Sequence, residues 1–178
     1  QENLQRHTTE PLDSAAMVQA YPLDYHRPLL WGNGTFHPIL NYTVRGIIYY
    51  QGCSNVGDPG NRYSERLALL ASQWRSQFRL GDIPFYFVEI APFWYDNTSG
   101  IAGALIREQQ RRAATLIPNS ALVCTNDLVY DYELKQIHPC QKRPVGERLA
   151  LHALAKTYLR KGIIADSPYA ASWRFSRD

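Results

Sequence analysis

Three short apolar runs alternate along the chain with segments whose apolar residues recur at helical spacing. The first run, VRGIIYY at residues 44–50, is β-branched and aromatic with no polar alternation, the pattern of a strand covered on both faces. After the loop QGCSNVGDPG the period changes. Leu67, Leu70, Trp74 and Phe78 fall on one helical face, and Gly81 offers a stop. PFYFVEIAPF at 84–93 reads as a second buried strand entering an aromatic loop. Leu105, Ala113 and Leu116 mark a second helix, with Asn119 near its end. ALVCTNDL at 121–128 is the third strand, and Val145, Leu149, Ala153 and Tyr158 mark a last helix ending near Gly162.

Strand, helix, strand, helix, strand, loop, helix is the alternation of an α/β protein, a three-layer α/β/α sandwich with a mainly parallel sheet. Ligands of such sheets bind outside the carboxyl ends of the strands, so the loops after Tyr50, Ile90 and Asn126 are expected to form the functional rim. Residues 1–28, interrupted by Pro11, Pro22 and Pro28, read as irregular. Residues 28–42, with Gly32, Gly34 and Pro38 among aromatics, suggest a packed loop or short helix. No internal repeat or low-complexity tract appears.

Composition narrows the class. The 178 residues amount to one domain, with 45% hydrophobic and 20% charged residues. The net charge of +3 comes without a basic block, which argues against a nucleic-acid partner. No apolar run approaches the roughly 18–20 residues of a membrane span. Twelve Tyr and four Trp suit carbohydrate contacts, although large aromatics also fill ordinary cores. Cys53, Cys124 and Cys140 lack metal-type spacing, and two histidines with a carboxylate at ligand spacing are absent; no metal or other cofactor is implied. Asn33, Asn41 and Asn97 stand in Asn-x-Ser/Thr sequences.

Two stretches hold candidate chemistry. In YQGCSN at 50–55, Gly52 permits a sharp turn, and the Gln51 amide at a strand's carboxyl end is suited to donate to a developing oxyanion. An ordinary strand-to-loop turn capped by Ser and Asn has the same appearance. In NDLVYDYELKQIHP at 126–139, His138 precedes a proline in a loop and suits a general base, with Asp127, Asp131 and Glu133 close enough in sequence to orient it. A lone surface histidine is the plain alternative. His7, His26, His37 and His152 show no supporting pattern.

The order of motifs is more telling than any one. PLLWGNGTFHPIL, VRGIIYYQGCSN, SQWR, IPFYFVEIAPF, IREQQ, TNDL and IHPCQKRPVGERLA together resemble the sialate O-acetylesterase family of SGNH-type carbohydrate esterases, from about residue 28 to 158. The resemblance implies the SGNH-hydrolase (flavodoxin-like) fold over 29–162, with 163–178 a tail leading onward. It implies deacetylation of O-acetylated sialic acid through a serine acyl-enzyme, in a secreted, periplasmic or lysosomal setting. His138 takes the base role and Gln51 that of oxyanion donor. Asn55 shapes the same rim, and Arg107 matches the family's helix arginine, as a substrate contact or as half of a structural ion pair.

The chain departs from the family in three places. Cys53 stands where Glu is usual and is an alternative nucleophile. Related hydrolases place Asp three residues before the histidine, where this chain has Lys135. Asp127 is therefore the preferred orienting acid, with Glu133 next and a backbone carbonyl as a third option. The GQSN-type nucleophile motif is missing, and Ser54 belongs to the oxyanion motif. The resemblance thus implies a serine on an upstream segment outside these residues, and both ends look cut. An acetylxylan-type esterase and an inactive carbohydrate-binding module are the competing readings.

Overall fold

The computed structural model describes residues 30–57, 61–95, 101–170, 172 and 174–176. It divides into two units, Gln1–Thr43 and Val44–Asp178. The N-terminal irregular segment and Asn97 lie outside the described residues. In the first unit the 28–42 segment is helical: a wide turn at Gly32–Phe36 runs into a tight one at His37–Ile39 begun by Pro38.

The second unit holds a three-stranded sheet, β1 (Ile47–Tyr50), β2 (Phe85–Val88) and β3 (Ser120–Val123), all parallel and in sequential order. Ile47 pairs with Phe85, and Phe85 with Ser120. Helices α1 (Tyr63–Phe78) and α2 (Ala102–Leu116) form the two crossovers. A parallel sheet that advances one strand at a time through crossovers of one hand puts both helices on one face. There Tyr63, Leu67 and Ala71 of α1, Ile106 and Ala113 of α2, and Phe85 and Phe87 of β2 make the larger core. The alternate side chains of β2 and β3, Val88 and Val123, pack on the opposite face against Leu128 of the loop after β3 and Val145 of α3 (Lys142–His152). The α/β/α layering is therefore the architecture of this unit.

Three sequence expectations change. First, β1 is not covered on both faces: Ile48 is 69% exposed and Tyr50 40%, because α3 packs mainly on β2 and β3 and meets Tyr50 through the Lys142 ammonium, 5.4 Å from the ring centroid. Second, the buried face of α2 runs through Ile106, Gln110 and Ala113, while Leu105 and Leu116 face outward. The glutamine disguised the face, because a bonded polar side chain replaces an apolar one. Third, α1 stops before Gly81. Arg79 adopts the left-handed conformation (φ 56°) and its N–H bonds to the Arg75 carbonyl.

Buried Arg75 fixes the amino-terminal side of the sheet. Its guanidinium donates to the carbonyls of Ile83 (3.0 Å) and Pro118 (2.7 Å), tying together the loops that enter β2 and β3. The opposite side, where the strands end, carries the candidate residues.

Candidate active site

Past Tyr50 the chain turns at Gly52, whose φ of 145° is open to glycine alone; a Cβ there would lie 2.9 Å from Ile90 and 3.0 Å from the Gln110 side chain. The turn lifts Gln51 onto the rim. Its side-chain oxygen accepts from Tyr49 (3.2 Å) and Tyr63 (3.1 Å), and its amide nitrogen donates to Asn55 Oδ1 at 2.7 Å. A carboxamide carries two N–H protons. The second has no partner among the described residues, and the side chain is exposed. Both candidate residues of this motif are thus joined, with Asn55 holding Gln51 in place.

The backbone beneath is clamped by Gln110, which is fully buried. Its oxygen accepts from the Ile90 N–H at 2.9 Å, and its nitrogen lies 3.2 Å from the Gln51 carbonyl and 3.4 Å from that of Val88. One side chain of α2 so fixes the ends of β1 and β2 together. The Tyr63 hydroxyl shares its one proton between this same Gln51 carbonyl, at 2.9 Å, and the Gln51 side-chain oxygen, and burial raises its phenol pKa well above the ordinary range. Gln110 lies in the IREQQ motif, and the one trace of this role in the sequence is a polar residue at a core position of the helix.

His138 lies in a loop braced from within. Glu133 is buried, and its carboxylate accepts from the backbone N–H groups of Tyr130 (3.2 Å) and Cys140 (2.8 Å). These bonds hold its pKa below the ordinary carboxylate range, the Cys140 amide being the main cause. The Leu134 carbonyl accepts from the Trp94 N–H at 2.6 Å, tying this loop to the one after β2. The His138 side chain is exposed, and among the described residues its imidazole has no hydrogen-bond partner. Asp127 pairs both oxygens with Arg148, at 2.8 and 2.5 Å, and this lowers its pKa. Of the three carboxylates offered by the sequence, Glu133 is engaged with its own loop and Asp127 with α3, while Asp131 is exposed at the start of the Asp131–Glu133 turn. No hydrogen bond links His138 to Gln51 or to any of these acids.

Arg107 stands on the second turn of α2, with its Nε 3.9 Å from the Glu89 carboxylate. Glu89, at the end of β2, is largely buried, and burial raises its pKa against the pull of Arg107 and Asn126. The sequence reading assigned Glu89 nothing, although an acid directly after a buried strand run was a visible signal. Cys53 packs against the core on one helical turn with Ser54 and Asn55. All three cysteines are free thiols. No helix of the described residues is long and apolar enough to cross a membrane.

A family model described as carbohydrate esterase, sialic acid-specific acetylesterase, matches residues 35–155. The chain belongs to this family. Among curated members of the sialic acid-specific acetylesterase family, it is 30% identical to the sialate O-acetylesterase of Mus musculus and 29% identical to that of Homo sapiens, in each case over 79% of the chain. It spans only 28–29% of the length of those relatives. A crystal structure of a carbohydrate acetylesterase from Xanthomonas citri superposes with a TM-score of 0.65 at 33% identity, covering 72% of this chain and 30% of that one.

Proposed function

We propose that the chain carries the oxyanion donor and the general base of a carbohydrate O-acetylesterase acting on acetyl esters of sialic acid. The observation that carries this reading is the state of Gln51. Two phenols fix its oxygen and Asn55 takes one N–H, so the remaining N–H is preorganised on the rim. A donor fixed before the reaction stabilises charge without reorganising when the oxyanion forms.

The serine comes from a segment outside these 178 residues. Its hydroxyl attacks the acetyl carbonyl while His138 Nε2 or Nδ1 accepts the proton. The tetrahedral oxyanion is met by the Gln51 N–H, and collapse releases the sugar hydroxyl, which takes the proton back from the imidazolium. His138 then takes a proton from water, which attacks the acetyl-enzyme; collapse breaks the bond to the serine oxygen, which takes the proton back from the imidazolium as acetate leaves. Asp127 is the proposed orienting acid, which requires it to release an oxygen from Arg148 as the site assembles. Asn55 and Arg107 contact the sugar. A secreted, periplasmic or lysosomal setting fits such a substrate.

Acetate release from O-acetylated sialic acid and from acetylated xylan, by the full-length protein carrying this chain, tests the reading. Faster release from the sialic acid ester is expected. Preference for xylan would mean the neutral-sugar esterase, and binding of the sugar without release an inactive module.

A further inference from the structure

The loop that carries His138 narrows to a neck between Tyr130 and Cys140. One side chain closes that neck. The Glu133 carboxylate, 5% exposed, accepts from the Tyr130 N–H through one oxygen (3.2 Å) and from the Cys140 N–H through the other (2.8 Å). The Cys140 thiol is a third donor to it. The Glu133 backbone completes the turn: its N–H bonds to the Tyr130 carbonyl at 2.8 Å, and its carbonyl accepts from the Gln136 N–H at 2.6 Å.

The neck determines where His138 stands. The imidazole is exposed and has no hydrogen-bond partner among the described residues, so its own contacts do not place it. Its backbone is confined instead. Pro139, which is buried, keeps the residue before it in the extended region, and Cys140, next in line, is bonded to Glu133. Bonds from a backbone N–H to an ionised carboxylate are stronger than neutral ones, and their loss would leave a buried charge uncompensated. Glu133 thus fixes the His138 backbone through two residues of chain. The Leu134 carbonyl, bonded to the Trp94 N–H at 2.6 Å, ties the same loop to the one after β2.

We propose that Glu133 is the positioning residue of the base: it closes the neck of the loop and so sets the reach of the His138 imidazole, acting through the backbone and not on the ring. The assignment rests on reading His138 as the general base. Proton transfer needs heavy atoms within about 2.6–3.2 Å, so a neck that opens takes the base out of range.

Kinetics and hydrogen exchange of the full-length protein carrying this chain test it together. Glu133→Ala is expected to lower kcat on an aryl acetate by about 10–100-fold with KM little changed, because a displaced base weakens the transition state and not substrate binding. Glu133→Gln keeps one acceptor oxygen for the two N–H groups and should recover part of that loss. Hydrogen-exchange mass spectrometry reads the neck independently of activity. Amides of 130–140 should exchange roughly tenfold faster in Glu133→Ala, while those of β2 stay as in the parent. Parental kcat in a Glu133→Ala with an opened neck would overturn the assignment, as would unchanged exchange over 130–140. Faster exchange that extends to β2 would overturn it too, since Glu133 would then serve the whole fold. So would a Glu133→Gln with a protected neck and the kcat of Glu133→Ala. His138→Ala separates the two readings. Activity lost there but parental in Glu133→Ala removes the positioning role alone, whereas parental activity in His138→Ala removes the base and its positioning residue together.

Discussion

Gln51 is held by Tyr49, Tyr63 and Asn55 before any substrate arrives. An interaction made mainly with the oxyanion is lost from the transition state and not from substrate binding. Gln51→Ala is therefore expected to lower kcat by about 10²–10³, roughly 2.7–4 kcal/mol, with KM little changed. A rise in KM at constant kcat would make Gln51 a binding residue instead. The neighbouring glycine is a matter of stability. Gly52→Ala puts a side chain at φ 145° and within 2.9 Å of Ile90, and it should lower the unfolding free energy by about 1–3 kcal/mol in urea titration. An unchanged midpoint would mean that the turn has a second conformation open to it.

At the scale of elements, Gln110 joins a helix to two strand ends. Gln110→Leu keeps much of the bulk but leaves the buried Ile90 N–H without its acceptor, a cost of about 1–3 kcal/mol. Because the same side chain reaches the Gln51 carbonyl, kcat should fall as well as stability. A variant that loses stability but keeps the parent kcat would show that β1 positions Gln51 unaided. The elements themselves were legible where burial is uniform: β2 is buried along its whole length, and its run of Phe, Tyr, Phe and Val says so. Reading failed where packing is one-sided. In β1 the apolar Ile48 and Tyr50 look like core in sequence, yet the helix that packs on β2 and β3 leaves both exposed, meeting Tyr50 through the Lys142 ammonium. The α2 face was misplaced because Gln110 occupies a core position as a hydrogen-bonding group. Of the site, the Gln51 and His138 motifs were visible as words. The engagement of Asp127 by Arg148, 21 residues away, depends on where α3 returns to the sheet, and no local pattern encodes it.

Across the whole molecule, shifted groups link folding to pH, His152, Asp127 and Glu89 among them. His152 is 1% exposed, with its ring against Tyr86 and its Nδ1 3.8 Å from Asp166, and burial lowers its pKa below the ordinary 6.5. As pH falls, the unfolded chain takes up this proton first. Stability is therefore full above about pH 6.5 and is lost as pH falls through the window down to the lower folded value. Asp127, lowered by Arg148, adds a loss in the same direction at more acid pH. Glu89, raised by burial, works oppositely: its contribution is present below the ordinary carboxylate value and is lost as pH rises through the folded one. The urea midpoint should drop between pH 7 and pH 5, and His152→Phe should flatten that drop. An equal drop in the variant would assign it to other groups.

In the proposed mechanism an imidazole and a carboxamide serve one acyl group. The most direct test is acetate release from an aryl acetate by the full-length protein and its His138→Ala variant. Loss of a factor of about 10³–10⁴ or more is expected, as for removal of a triad member. Retention of parental activity would contradict the account, because the base would then lie elsewhere.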